Sequence, residues 1–381
     1  MITLSSKLPN VGTTIFTVMS ALAAKHQAIN LAQGFPNFPP PKELLAFANE
    51  AMQRGLNQYA PMAGFLPLRE RIAEKIERCY GAKVHPDTDI TVTPGGTAAI
   101  FAAILATVNK GDEVIVFEPC YDSYLPTLDL CGARVIRLQL QPPNYVINWE
   151  HVRAAFTPET RMIILNTPHN PTGSIWTAAD MAELAALTRG TDCLILSDEV
   201  YEHITFDGAR HESVLRREDL RERSFVVSSF GKTYHVTGWK TGYCVAPAAL
   251  MAEFRKVYQF MNFASFTPAQ AAFAEMLRTL HHDEELSAFY EQKRNFFRER
   301  LASSRFELLP SNGSYFQCAR YDAISELSDA EFATWLTTAH GVAVIPVSAF
   351  YANGTDNRVI RFCFAKTEET LERASEVLCR L

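Results

Sequence analysis

The sequence predicts an α/β protein in which a large unit, built on a mostly parallel sheet of seven strands, is followed by a smaller α+β unit. Three observations carry that reading. From Asp89 onward, short β-branched runs alternate with longer helical patterns, the rhythm of strands joined by helical crossovers. Near Leu280 the rhythm stops and a long charged helix begins. The chain of 381 residues, 48% hydrophobic and 20% charged, is long enough for one large core and a second smaller one.

The elements follow in chain order. Ile15, Met19, Leu22 and Ala23 recur at helical spacing, so residues 15–24 read as an amphipathic helix packed on a core. A secretory leader is the weaker reading of that segment, because Thr17 and Ser20 interrupt its apolar run. Residues 1–35 are expected to pack with the small domain, 36–280 to form the large domain, and 281–381 to form the small one. The Pro-rich stretch 35–41 marks the crossing between lobes. The seven strands fall at 90–93, 113–117, 134–138, 161–166, 193–197, 225–229 and 242–246. Helices at 97–108 and 178–189 are long enough for right-handed crossovers, and ligands of such sheets bind beyond the strands' carboxyl ends. A charged helix is predicted at 284–303, hairpin-like material at 311–320 and a buried strand at 341–346. A strand at 358–364 leads to a helix opened by Thr367, with Glu368 and Glu369 in its first turn, where acidic side chains suit the dipole.

Composition removes several function classes. A formal charge of −6 offers no basic footprint for nucleic acid. Eight cysteines without a C-x-x-C pair read as buried thiols of a reducing compartment, hence the cytoplasm, and not as a disulfide frame or zinc site. No His pair has metalloprotease spacing, and His281 beside His282 reads as a solvated helix end. No stretch approaches the ~20 uninterrupted apolar residues of a membrane span.

The most informative segment is Ser228-Ser229-Phe230-Gly231-Lys232-Thr233-Tyr234-His235-Val236-Thr237-Gly238-Trp239-Lys240, directly after a predicted buried strand. A loop lysine taken by itself is usually just solvated. At a strand's carboxyl end beside other cations, however, its pKa falls and it becomes a nucleophilic amine for a carbonyl cofactor. Ser229 is placed to donate to a phosphate, and Lys240 adds fixed positive charge.

The motif Ser-x-x-Lys, followed eight residues later by Lys or Arg, resembles that of the class I aminotransferases, in the fold-type I group of pyridoxal-phosphate enzymes. Other segments match in the same order over nearly the whole chain. The resemblance is to the methionine aminotransferase branch, akin to kynurenine aminotransferase and glutamine transaminase K. It implies pyridoxal 5′-phosphate as cofactor, with Lys232 as the amine bonded to its aldehyde. It also implies an amino-acid donor, a 2-oxo acid acceptor and a ping-pong cycle in which Lys232 shuttles the Cα proton.

Each further match has a plainer reading beside it. Asp198, in Leu-Ser-Asp-Glu-Val-Tyr, is implied to pair with the pyridine nitrogen, although an Asp there also suits a helix cap. Tyr201 and Asn170 are implied to hydrogen-bond the cofactor's phenolic oxygen; otherwise they read as core and turn. His169 stands where relatives commonly have Asn and is expected to tune the loop. Thr93-Pro94-Gly95-Gly96-Thr97 joins a strand to a helix, a backbone suited to an anion, and the family seats the cofactor phosphate against Gly96 and Thr97. Tyr121 matches the aromatic that stacks on the ring. Arg361, a charge in an apolar strand, needs an anion: the substrate α-carboxylate by resemblance, an internal Asp or Glu otherwise. Gly34 fits a glycine whose backbone approaches that carboxylate. Tyr59 matches a residue contributed across a homodimer interface.

Ile15, Phe16, Phe263 and Phe350 are the candidates for an apolar side-chain pocket, against core packing as the plain alternative. No second arginine stands out for a distal carboxylate. A C–S β-lyase shares the fold, the lysine and the aspartate, but the Trp239-Lys240 pair resembles the aminotransferases more closely. A non-catalytic regulator is expected to carry a DNA-binding domain ahead of the Gly34 motif, where this chain has some 30 residues.

Overall fold

The computed structural model describes residues 4–279 and 282–381, so His281 lies outside the described residues. The strands, in chain order, are β1 (Ile29–Asn30), β2 (Ile90–Thr93), β3 (Glu113–Glu118), β4 (Arg134–Gln139), β5 (Thr160–Asn166), β6 (Leu194–Asp198), β7 (Ser224–Ser229) and β8 (Gly242–Val245), then β9 (Glu307–Leu308), β10 (Phe316–Arg320), β11 (Val342–Ala343), β12 (Ile345–Pro346) and β13 (Val359–Cys363). Strands β2 to β8 form one sheet in the order β2-β8-β7-β6-β5-β3-β4. All neighbours are parallel except β8, which runs antiparallel to β2 and β7.

This sheet is buried on both faces, which explains why its strands read as continuous apolar runs. Successive side chains alternate between two cores. Ile115, Ile163 and Ile195 enter the core on one face, while Val116, Ile164 and Leu196 enter the core on the other. Edge strand β4 is half-exposed. Because β5, β6 and β7 are parallel, their last residues Asn166, Asp198 and Ser229 emerge along one edge.

A third core belongs to the second unit, in which β9, β10, β12 and β13 form a four-stranded sheet ordered β12-β13-β10-β9. Met19 and Ala23 of the helix Ile15–Lys25 join this core beside Phe332 and Leu336. That helix is capped by Thr14, whose hydroxyl accepts from the Thr17 amide.

Three expectations are corrected here. The single strand at 341–346 is two: β11 pairs in parallel with β1, and β12 pairs with β13, because Val344 between them changes the chain's direction of pairing. The hairpin at 311–320 is reduced to β9 and β10, paired through two residues, since residues 312–314 bind the large unit instead. His282 is not a solvated helix end. Its ring stacks on Tyr234 at 5.5 Å, its Nε2 is buried without a partner among the described residues, and burial holds its pKa below the usual range.

Asp198 and Tyr201 are braced from behind by the residues that follow each of them. Glu199 accepts from Ser197 Oγ at 2.7 Å and from the Val214 amide, and its other oxygen lies 2.8 Å from His211 Nε2. Glu202 pairs with Lys75 at 2.5 Å, both side chains 5% exposed, and also takes the hydroxyls of Tyr80 and Tyr243. The pair holds the Lys75 pKa up and that of Glu202 down. Lys75→Met leaves an uncompensated buried carboxylate, with an expected loss of about 3–5 kcal/mol in denaturant unfolding. The double variant with Glu202→Gln is expected to recover part of that loss.

Candidate active site

Beyond the carboxyl edge of the sheet lies a cavity of about 950 Å³, mouth included, bordered by residues from both units. One end is an anion seat. β2 runs through Gly95, at φ +85°, into the helix Gly96–Thr107, whose first amides have no partner within the helix. Lys240 Nζ lies so near that a Cβ on Gly95 would meet it at 3.3 Å. Gly242 permits the approach, because a Cβ there would fall 2.5 Å from the Ser228 carbonyl. Gly96, Thr97, Ser229 and Lys240 all line this end. The combination of free amides, a hydroxyl and a fixed cation suits a phosphate.

Lys232 stands in the middle, on the short helix Phe230–Thr233 that follows β7. Its Nζ donates to the Gly34 carbonyl at 3.2 Å and to the Tyr315 hydroxyl at 3.0 Å. Burial, with Lys240 and Arg361 nearby, lowers its pKa to about 8 against the opposing pull of Cys363 and Asp198. The amine is therefore neutral far more often near neutrality than an ordinary lysine.

Asp198 ends β6. Its Oδ2 accepts from Tyr124 at 2.5 Å and its Oδ1 from the Val200 amide, while its carbonyl takes the Asn166 side chain at 2.8 Å. Burial raises its pKa to about 6, opposed first by the Tyr124 hydrogen bond. Tyr121 touches Thr97 through its hydroxyl at 3.2 Å and packs edge-on against Tyr124. Tyr201 is buried beside Lys232, whose Nζ is 5.6 Å from its ring centre.

Arg361 closes the far end from β13, fully buried. Its Nη1 donates to Asn170 Oδ1 at 2.7 Å and its Nη2 to the Ala32 carbonyl at 2.8 Å; its Nε has no partner among the described residues. Both partners are neutral, so the internal ion pair considered from sequence is not formed. Because Asn170 gives Oδ1 to Arg361, its Nδ2 hydrogens are left to donate elsewhere. The guanidinium lies 4.0 Å from the Phe316 ring and 5.4 Å from those of Phe16 and Phe350.

Of the sequence candidates, Phe16, Gly34, Gly96, Thr97, Tyr121, Asn170, Asp198, Tyr201, Ser229, Lys232, Lys240 and Arg361 border this one cavity. Five residues read from the sequence, Ile15, Tyr59, His169, Phe263 and Phe350, lie outside its lining. Ile15 packs into the second unit's core, since adjacent helix positions point about 100° apart. Phe350 is buried behind Phe16 at 5.8 Å. Phe263 is 49% exposed past the end of the helix Ala248–Met261 and packs against Tyr59, itself 81% exposed. His169 is buried and bonded to Thr172 at 2.6 Å, and burial lowers its pKa to about 4.

Tyr124, Asn166, Tyr315 and Phe316 were not singled out from sequence. Tyr124 had a readable signal, a second tyrosine three residues after Tyr121 at the start of the helix Tyr124–Cys131. Tyr315 and Phe316 had none, because their loop reaches the site only through tertiary contacts.

Residues 26–378 match the family "Aminotransferase class I and II". The chain is 53% identical to the methionine aminotransferase of Escherichia coli over 99% of its own length and 98% of the relative's. It is 33% identical to human kynurenine–oxoglutarate transaminase 1 over 94% and 93% of the two lengths. An E. coli crystal structure described as identifying a methionine aminotransferase function superposes with a TM-score of 0.98 at 52% identity, covering all of both chains. N-succinyldiaminopimelate aminotransferase of Mycobacterium tuberculosis superposes at 0.95 with 36% identity, over 99% and 100%. Matched over nearly its whole length and in its cavity-lining residues, this chain belongs to the class I and II aminotransferases and has their fold-type I architecture.

Proposed function

We propose that the chain uses pyridoxal 5′-phosphate to move the amino group of methionine, or of another apolar or aromatic amino acid, to a 2-oxo acid. The observation that carries the reading is Lys232, an amine with pKa about 8 between an anion seat and an arginine with an unpaired Nε. When bound, the cofactor supplies an aldehyde that bonds amines and a ring that takes up the electron pair left by deprotonation at Cα.

The chain's own residues do the rest. Gly96, Thr97, Ser229 and Lys240 would hold the phosphate, and Tyr121 would cover the ring. Tyr124 holds the Asp198 carboxylate, which would pair with the ring nitrogen. Asn170, through the Nδ2 that Arg361 does not use, and Tyr201 would hydrogen-bond the phenolic oxygen. Arg361 binds the substrate α-carboxylate beside the Gly34 backbone, and Lys232 takes the Cα proton and returns it. Phe16 and Phe316, with Phe350 behind, favour an apolar or thioether side chain, and Arg361 is the only arginine among the described residues of the lining.

The same reading makes the protein a homodimer in which Tyr59 completes the partner's site. An exposed aromatic patch supports it: Tyr59, Phe260, Phe263 and Phe266 are 81%, 88%, 49% and 58% exposed. Eight cysteines, all free, support a reducing compartment, the cytoplasm.

Purified protein given methionine and a panel of 2-oxo acids is expected to yield the methionine-derived 2-oxo acid only when an acceptor is present. Pyruvate and ammonia released from a sulfur amino acid without acceptor would instead identify a lyase. Arg361→Lys is expected to lower kcat/KM by roughly 10²- to 10³-fold, since an ammonium cannot form the planar paired bonds. Mixing inactive Lys232→Ala subunits with inactive Tyr59→Ala subunits is expected to restore about a quarter of the activity, because only hybrid dimers carry one intact site. Activity that stays absent after verified subunit exchange excludes the shared site.

A further inference from the structure

Tyr315 is fully buried on the loop that enters β10, and its hydroxyl meets the Lys232 amine. The phenol's one proton is donated to the Gly34 carbonyl at 2.6 Å, so its oxygen faces Lys232 as an acceptor. The amine thus gives one N–H to Gly34 and one to Tyr315, which leaves its remaining direction for the cavity.

The loop that brings Tyr315 there is held from several sides. The Asn312 and Gly313 amides donate to the Gly173 carbonyl at 2.8 and 2.9 Å, and the Ser314 amide donates to the Ile204 carbonyl at 2.9 Å. Ser314 holds φ at +59°, a left-handed backbone that a non-glycine residue keeps only when its surroundings impose it. A Cβ on Gly313 would sit 2.7 Å from Pro168 Cβ and 2.8 Å from the Ile204 carbonyl, so the fit there is close. On the other side, the Phe364 amide donates to the Tyr315 carbonyl at 3.1 Å, tying it to the end of the strand that carries Arg361.

We propose that Tyr315 is a positioning residue for amino transfer: with the Gly34 carbonyl it holds the free amine of Lys232 so that its lone pair faces the cavity. The proposal rests on the reading of Lys232 as the proton-shuttling amine. A lysine side chain has four rotatable carbons, and one that releases and recaptures a proton at a single carbon gains from two fixed acceptors. Tyr315 also links the amine to the Arg361 strand, so the carboxylate clamp and the base are held in one frame. The charged and titratable groups facing Lys232 are Lys240 and Arg361, which lower its pKa, Asp198 and Cys363, which raise it, and Tyr201 and Tyr315 against its amine. As an acceptor, the Tyr315 oxygen favours the charged amine, so its removal lowers the lysine pKa further.

Tyr315→Phe keeps the ring and removes the hydroxyl. Tyr290→Phe is the control, because Tyr290 packs 5.6 Å from the Tyr315 ring and its buried hydroxyl has no partner among the described residues. In holoenzyme converted to the pyridoxamine phosphate form, brief acetylation over a pH series, read at the Lys232 peptide by mass spectrometry, gives the amine's titration midpoint. Tyr315→Phe is expected to lower that midpoint by roughly one pH unit, while Tyr290→Phe leaves it in place. With α-deuterated methionine in single turnover, Tyr315→Phe is expected to slow deprotonation about 10- to 100-fold and to raise the isotope effect, with substrate affinity changed less than about threefold. An unmoved midpoint in Tyr315→Phe, or an equal shift in Tyr290→Phe, overturns the proposal. Borohydride reduction of the wild-type holoenzyme separates the two failures: an adduct on a residue other than Lys232 overturns the reading on which the proposal stands.

Discussion

The fully buried guanidinium of Arg361 is the constraint around which the site is built. A cation there is tolerable only with several hydrogen bonds and an anion to answer its charge. Three separate parts of the chain meet to supply the first: β13 carries the arginine, the loop after β5 brings Asn170, and the segment after β1 brings the Ala32 carbonyl. Among the described residues no carboxylate pairs with it, and its Nε has no partner there. The proposed α-carboxylate would complete a set of interactions that these residues leave open, where the two units converge.

The other charges follow from that placement. Lys232 and Lys240 share the cavity with Arg361, so three cations face one partly enclosed space with Asp198 as the carboxylate among them. Burial and mutual repulsion lower the lysine that is not held by fixed anions, and Lys232 responds with a pKa of about 8. Lys75 is the instructive contrast. It is the more deeply buried of the two, yet its pair with Glu202 raises its pKa, because an opposite charge at 2.5 Å outweighs the loss of water. Two buried lysines on one fold take opposite protonation behaviour from their neighbours.

Much of this was legible in the linear sequence, for identifiable reasons. The inner strands were readable because both faces of their sheet are buried, so each is a largely apolar run, while the half-exposed edge strand β4 was readable from Val135 and Ile136. Lys232, Asp198 and Asn170 were readable because each follows such a run, and the ends of parallel strands meet on one edge. Arg361 was readable as a charge inside an apolar strand. The elements that failed were short or depended on distant partners. β11 and β12 are two residues each and pair with different strands, and the half-exposed His282 owes its position to Tyr234.

The sequence by itself determined the family, the sheet and most of the residues at the cavity, because those depend on local pattern and on order along the chain. Tertiary structure decided which of the apolar candidates reach the cavity, since Phe16 lines it while Ile15, Phe263 and Phe350 do not. It also decided that Tyr124 holds Asp198 and that Tyr315 meets Lys232, 83 residues away in the chain. Tyr124 reaches Asp198 from the first residue of the helix Tyr124–Cys131, and Tyr315 reaches Lys232 on a loop held by Gly173, Ile204 and Phe364. No periodicity or spacing within that loop records where it will lie.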